Sequence, residues 1–341
     1  VLAHNVTEAA TIFDQDQFQL WIKRNFEDKS LLKRIDETHE REKASPKERL
    51  VSNLCMVLDP AAPLRYKSTS LFPSGLGTAL ADTVANGQDI QPYVEVLFHQ
   101  LFSTWINLRF EEIPDAVGWS SLFEKCRNVL SQKMPGYGIE RVLYILNKDT
   151  ACLSPVLKDY FVLGPDTMLR ALEKVARRGD RPENIFDRHM IAFLSVRDAK
   201  MIDPFLGHMT SPDKGNQIVG VLRVLASLQR RSGRLLVPGL TNWAFTMIEP
   251  AVKKFNDLDL QKMAMKQLEK VKDIGDVSKI LEVVDDYDVV QDDNSRFAMA
   301  RNEYRSLGAE KQRIETHLKK TKGFGQSTGR HIAMIVSSLL S

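Results

Sequence analysis

The chain has 341 residues, of which 43% are hydrophobic and 27% charged, and its formal net charge is +3. This composition is ordinary for a globular protein, and so small a net charge does not by itself indicate nucleic-acid binding. No apolar run is long enough for a membrane span. Three widely spaced cysteines, Cys55, Cys126 and Cys152, form neither a disulfide framework nor a metal-binding pair and favour a reducing, cytoplasmic compartment.

Residues 1–134 form the first predicted unit, a helical N-terminal region. Within it, the charge-rich segment 28–49 is typical of a solvated helix face or a linker. Segment 92–110 predicts one buried helix, because its large apolar side chains cover more than half of a helix circumference. These side chains are Val94, Leu97, Phe98, Leu101, Phe102, Trp105 and Ile106.

A proline- and glycine-rich segment, 59–78, interrupts this region and predicts a long irregular loop. It supplies basic and hydroxyl side chains and then a glycine turn before a helix, which directs backbone N–H groups toward an anion. The anion-binding candidates are Arg65, Lys67, Ser74, Gly75, Gly77 and Thr78. The alternative is a proline-braced surface loop, because Leu80 stands where the GxGxxG phosphate motif has its third glycine.

The second predicted unit, 135–293, begins at the break over 134–138 and consists of amphipathic helices with short interruptions. Six helices are expected between 165 and 290, with starts near residues 165, 182, 212, 239, 258 and 276. Each carries one apolar stripe that it cannot bury alone, so neighbouring helices must stack. The predicted fold is therefore all-α. It has either HEAT- or armadillo-like helix pairs that recur about every 45 residues or an irregular helical array.

An acidic segment, 285–293, ends the second unit. It lacks the central glycine and the closing glutamate of an EF-hand calcium loop. The sequence therefore predicts an exposed acidic connector there and no metal site.

The third predicted unit, 294–341, starts with the longest helix signal in the chain. Apolar residues recur at steps of three and four, the a/d spacing of a coiled coil, although Lys311 interrupts them. The interface candidates on this stripe are Phe297, Tyr304, Leu307, Ile314 and Leu318. Either this helix closes the end of the array or it pairs in a dimeric coiled coil. A basic hinge over 319–330 and a short apolar helix over 332–340 are predicted to follow.

No nucleophile–base set, metal-ligand cluster or phosphate loop stands out in the sequence, and no cofactor is predicted. This pattern favours a non-catalytic scaffold, in which stacked helices offer an extended surface to a protein partner. Homo-oligomerisation through 294–341 is one form that such an interaction would take.

Two other functions stay open at this point. An enzyme or a small-ligand protein would use the 59–78 loop to bind a phosphate-bearing ligand. A nucleic-acid-binding protein would use helix ends together with the tail, which has seven Lys or Arg against two Glu over 305–341. The basic-patch candidates are Arg177, Arg178, Arg181, Arg230, Arg231, Arg234, Lys319, Lys320 and Lys322. Cations at helix C-termini also favour the helix dipole, which is a structural reason for the same arginines.

Overall fold

The computed structural model describes residues 6–13, 16–25 and 28–339, and the chain folds there almost entirely into α-helices. In chain order, the helices are α1 (Val6–Phe13), α2 (Asp16–Asn25), α3 (Lys29–Glu42), α4 (Lys47–Leu58), α5 (Leu76–Ala85), α6 (Gln91–Phe98), α7 (Leu101–Leu108), α8 (Ala116–Leu130), α9 (Ile139–Leu146), α10 (Pro165–Ala176), α11 (Arg188–Arg197), α12 (Ala199–Met209), α13 (Lys214–Arg231), α14 (Pro238–Thr246), α15 (Glu249–Val252), α16 (Leu258–Val271), α17 (Val277–Val284) and α18 (Tyr287–Leu339). The prediction of an all-α irregular helical array is confirmed. A regular helix-pair repeat stays a prediction.

The N-terminal helices α1–α4 surround a small core of their own, to which α4 contributes one face. Segment 28–49 is less solvated than its charge suggests. The Glu42 carboxylate is only 2% exposed. It forms an ion pair with Arg49 at 2.8 Å and accepts a hydrogen bond from Ser45 at 2.9 Å. A buried carboxylate needs such partners, and here they come from residues close by in the chain.

The segment predicted as an irregular loop, 59–78, contains an antiparallel hairpin. Its strands are β1 (Leu64–Tyr66) and β2 (Thr69–Leu71), and Lys67 turns between them with φ of 50°. A 3-10 turn and α5 follow directly. The sequence pattern missed this hairpin because a three-residue strand is too short to give a period-two signal. In β1, the buried Leu64 and Tyr66 flank one exposed arginine.

The apolar segment 92–110 forms two helices, α6 and α7, and not the single helix that was predicted. Gln100 breaks it by adopting the left-handed conformation, with φ of 56°. The Gln100 amide then donates to the carbonyls of Leu97 at 3.0 Å and Phe123 at 3.3 Å. The bend lets apolar side chains from more than one face of the segment reach the same core.

The main core is continuous from Met56 to Val284 and includes helices on both sides of the predicted boundary between 134 and 135. That division into units stays a prediction. Helices α10–α17 form the array, and the first apolar stripe is buried as expected, with Met168, Leu172 and Val175 at most 3% exposed.

Eight helices, not six, lie between 165 and 284. The sequence pattern missed α12, in which Pro204 lies inside the helix. The helix expected near 182 begins at Arg188, because Asp187 accepts from the Met190 N–H at 2.8 Å and caps it there. The helix around Pro250 is broken into α14 and α15, with the proline in the first turn of α15.

Buried polar side chains tie the array helices together. Glu173 on α10 accepts from the N–H groups of Gly239 at 2.9 Å and Leu240 at 2.8 Å, in the first turn of α14. The Gln229 side chain on α13 donates to the Gly275 carbonyl at 2.7 Å and accepts from the Val277 N–H at 2.9 Å. Each satisfies backbone groups at a helix end that the helix itself leaves unpaired.

The last helix, α18, is continuous over 53 residues, which corresponds to a length of about 80 Å. The hinge predicted over 319–330 and the separate helix over 332–340 are therefore wrong. Glycine weakens a helix by about 1 kcal/mol relative to alanine but does not break it, and no proline occurs between 287 and 339.

Candidate protein-interaction surface

The base of α18 is fixed by acidic residues of segment 285–293, which was predicted to be an exposed connector. Asp286 caps the helix by accepting from the N–H groups of Asp288 at 3.0 Å and Val289 at 3.2 Å. Asp285 forms an ion pair with Arg223 of α13 at 2.7 Å. The start and direction of α18 are therefore set by contacts with the array.

The burial of Asp293 contradicts the predicted exposed connector most clearly, because its side chain is only 3% exposed. It accepts three hydrogen bonds, from Asn256 N at 2.7 Å, Asn256 Nδ2 at 2.9 Å and Asp257 N at 3.0 Å. These donors lie at the N-terminus of α16, where unpaired N–H groups and the helix dipole favour a carboxylate. Asp293 thus anchors α18 to the array.

Beyond this anchor, α18 leaves the array. Every residue from 294 to 320 is exposed, a stretch of 27 residues that corresponds to about 40 Å of helix. The alternative in which this helix closes the end of the array therefore does not describe 294–320.

Within this exposed part, the body of the chain does not cover the large side chains of the apolar stripe. Phe297 is 49% exposed, Tyr304 80%, Leu307 56% and Ile314 53%. We call the a and d positions of this stretch the α18 seam; it consists of Phe297, Ala300, Tyr304, Leu307, Lys311 and Ile314. Leu318, at the next a position, is 54% exposed. The seam continues the helix face on which Val290 and Asp293 dock to the array.

Charged residues border the seam on both sides. In the heptad frame set by Tyr304 at an a position, Arg301 and Glu315 occupy e positions, and Glu310 occupies a g position. Lys311 lies 4.0 Å from Glu315 within the same helix. All of them are exposed, so these charges are available to a partner that lies along the seam.

The anion-binding candidates lie on the hairpin and at the start of α5, and internal contacts already engage several of them. Lys67 forms an ion pair with Glu95 at 2.5 Å. Gly77 is buried against Asn147, which donates to its carbonyl at 2.7 Å, and a Cβ at Gly77 would lie 2.8 Å from Asn147 Oδ1. Close packing is thus one reason for this glycine. Arg65, Ser74 and Thr78 are exposed, and the N–H of Gly75 donates to Phe72 at 2.9 Å. The anion site stays a prediction.

Arg177 and Arg178 lie at the other end of α10 from Arg230 and Arg231. Ser232, just after α13, donates to Asp166 in the first turn of α10 at 3.0 Å, so the end of α13 lies beside the start of α10. The arginines that end α10 are therefore separated from those that end α13 by about 18 Å, the length of a 12-residue helix. Lys319 and Lys320 are exposed on α18, and the side chain of Lys322 lies outside the described residues.

Most of the helix-end arginines also have partners within the chain. Arg177 pairs with Glu173, Arg178 with Asp159 and Arg231 with Asp198. Arg230 donates to Ser227 at 3.1 Å, while Arg181 and Arg234 are exposed. Ion pairing reduces the positive potential that a polyanion would meet. Nucleic-acid binding stays a prediction.

A buried polar network that the sequence did not indicate connects α9, the 152–154 loop and α11. The Tyr144 hydroxyl lies 3.2 Å from His189 Nδ1 and accepts from the Leu153 N–H at 2.8 Å. Ser154 donates to Asp187 at 2.5 Å. Burial raises the pKa of the Cys152 thiol to about 12, which leaves it protonated and unreactive as a nucleophile. The hydrogen bonds of this network join α9, the 152–154 loop and α11.

His189 in this network predicts a pH dependence of stability. Burial lowers its pKa below the ordinary 6.5, against the opposing effect of Asp187 and Glu140. Below about pH 6.5 the unfolded chain takes up a proton that the folded chain does not, so this contribution to stability is lost as the pH falls. We expect His189→Gln to reduce the difference in the free energy of unfolding between pH 7.5 and pH 5.5, as measured by urea denaturation. An equal difference in both proteins would contradict this role of His189.

A cleft of about 370 Å³ lies beside the network and is lined mainly by apolar side chains, among them Ile185, Ile191 and Met247. Of its four polar lining residues, Asp187 and Gln217 are bound within the chain, whereas Asn184 and Arg188 are exposed. Asp187 accepts from Met190 N and Ser154, and Gln217 donates to the Ser211 carbonyl at 2.6 Å. The cleft is therefore mainly apolar, with two exposed polar side chains in its lining.

Comparisons with protein-family models, curated proteins and solved structures find no match to this chain. In the part of the chain that the structure describes, no group of three or more His, Cys, Asp and Glu side chains is placed to hold a metal ion. No helix in the same ranges is both long and apolar enough to cross a membrane. In the described residues, the fold and this surface define the class as an all-α helical array from which α18 projects.

Proposed function

We propose that the protein is a non-catalytic interaction module, in which the helical array holds α18 in place and the α18 seam binds a protein partner. One observation carries the proposal: large apolar side chains lie at a/d spacing along a helix segment whose residues from 294 to 320 are all exposed. Contiguous apolar surface of this kind is typical of protein interaction sites.

The energetics support a partner that lies along the helix. Burying a Leu or Ile side chain contributes about 1.5–3 kcal/mol, and the array does not supply that burial here. A helix-lined groove or a second helix would cover an i, i+3, i+7 stripe. The anchor at Asp293 holds the base of α18 in a defined position, which lowers the entropy lost on binding.

The test is a double substitution on the seam, Leu307→Asp with Ile314→Asp, in the full chain. A matched control places aspartates at the same seven-residue spacing on the opposite face, Ala309→Asp with Thr316→Asp. We expect the seam variant to bind the partner about 100-fold more weakly, because two apolar contacts become buried charges. The control should bind as the wild type does.

Binding would be measured by affinity capture of the partner from cells, followed by titration of the captured protein against each variant. Circular dichroism of the variants at equal concentration checks that the helix content is unchanged. Equal affinity for the seam variant and the control would show that the seam is not the binding surface.

We further propose that the protein acts in a reducing, cytoplasmic compartment. The three cysteines are free thiols, and Cys126 and Cys152 are buried. Proteins of oxidising compartments more often join their cysteines in disulfides.

A further inference from the structure

We propose that the α18 seam binds a second copy of the chain, with the two α18 helices antiparallel and their two-fold axis passing beside Gly308 and Ala309. The inference rests on the proposed function, since it names the partner of the same surface. The charges that border the seam carry it, because Arg301 faces Glu315 in the antiparallel arrangement, whereas like charges face each other in four contacts of the parallel one.

The core layers of this pair follow from the heptad positions. In an antiparallel pair, a positions of one helix pack against d positions of the other. With the axis beside residue 309, Tyr304 packs against Ile314 of the second copy, and Leu307 packs against Lys311. Two-fold symmetry repeats each layer. The methylene stem of Lys311 covers the leucine while its ammonium group reaches the edge of the interface.

One edge of the antiparallel pair, the edge formed by the e positions, carries opposite charges. Residues at e positions face e positions of the other helix, so Arg301 faces Glu315 of the second copy, twice by symmetry. The two Glu310 side chains meet near the axis, where each has the Lys311 ammonium of the other helix beside it. Gly308 faces Gly308 and leaves room at the centre for the helices to approach.

The parallel, in-register arrangement places like charges together. Residues at g positions would then face the next e position of the other helix. Arg296 would face Arg301, and Glu310 would face Glu315, each twice. The two Lys311 side chains would also meet inside the core. Like charges in such contacts disfavour the arrangement.

Cysteine cross-linking of the full chain distinguishes the two arrangements. Gly308→Cys places thiols next to each other only in the antiparallel pair, and a side chain at this position meets nothing within 4 Å in the chain itself. Ile314→Cys places them together only in the parallel pair, where d faces d. Ala309→Cys lies on the outer face and is the matched control. The wild type is the control for any cross-linking through the three native cysteines.

Each variant is oxidised with copper phenanthroline and separated on a non-reducing gel, and light scattering gives the mass of the unoxidised wild type. We expect about ten-fold more linked dimer for Gly308→Cys than for Ala309→Cys or Ile314→Cys. The wild type should approach twice the 38.7 kDa of one chain with rising concentration.

Stronger linking of Ile314→Cys would overturn the antiparallel arrangement. If the wild type stayed a monomer at every concentration and no variant were cross-linked above the control, the partner would not be a second copy of the chain. The proposed function fails separately, when the Leu307→Asp and Ile314→Asp variant binds a captured partner as well as its control does.

Discussion

Replacing Asp293 with alanine is expected to lower the free energy of unfolding by about 4 kcal/mol and to release the base of α18 from the array. The carboxylate is 3% exposed and accepts from two backbone N–H groups and the Asn256 side chain, at 2.7 to 3.0 Å. Without it, buried donors at the N-terminus of α16 lose their partners. Hydrogen bonds to a charged acceptor contribute about 1.5–3 kcal/mol each, although such contributions do not add fully.

The neighbouring aspartate gives the control for this prediction. Asp292 is 58% exposed and pairs with Arg296 within the helix, so Asp292→Ala should change the free energy of unfolding by less than about 0.5 kcal/mol. Urea denaturation measures both values. Hydrogen exchange of residues 287–296 reports the release of the helix base. If the two variants were equally stable, Asp293 would not be the anchor.

Replacing Glu173 with alanine is expected to lower the free energy of unfolding by about 3 kcal/mol, which is the second large effect. Glu173 is 9% exposed and joins α10 to α14 by accepting from the N–H groups of Gly239 and Leu240. A carboxylate at the N-terminus of a helix is also favoured by the helix dipole. Its removal leaves two donors near the core without acceptors.

Two variants separate this capping role from the ion pair that Glu173 also forms. Arg177 is 63% exposed, so Arg177→Ala should cost less than about 0.5 kcal/mol. Glu173→Gln keeps one acceptor oxygen and should lose less than Glu173→Ala. Thermal and urea denaturation of the three variants check the order. If Arg177→Ala were as damaging as Glu173→Ala, the ion pair and not the cap would account for the stability.

The all-α fold could be predicted because local signals and tertiary packing agree along the array. The stripe on α10 is buried as its spacing indicates, and Pro165 is the first residue of the helix. Asp213 caps α13 by accepting from the Gly215 N–H at 3.0 Å, as aspartate often does at the position just before a helix.

Other features depend on contacts between distant residues, and no local pattern contains them. Gln100 ends α6 partly because its amide reaches the Phe123 carbonyl, 23 positions later in the chain. Asp293 is buried because a helix N-terminus lies opposite it, 36 or 37 positions earlier. An acidic run has the same composition whether it is solvated or anchors a helix.

The candidate surface was partly predictable for a similar reason. The a/d spacing of the seam is present in the sequence, but the same spacing suits a helix packed on the array and a helix that projects from it. The exposure of Tyr304 and Leu307 separates the two cases. The predicted hinge was wrong because glycine lowers helix propensity without ending a helix when no proline follows.

Hydroxyl-radical footprinting of the full chain tests most directly whether the α18 seam binds a protein. Oxidation of Tyr304, Leu307 and Ile314 would be compared between the protein inside the cells that produce it and the purified chain at high dilution. Met299, which is 73% exposed and lies off the seam on the same helix, is the internal reference. We expect the three seam side chains to be protected inside the cell while Met299 stays reactive. Equal oxidation of the seam side chains in both samples would contradict the proposal that the α18 seam binds a protein.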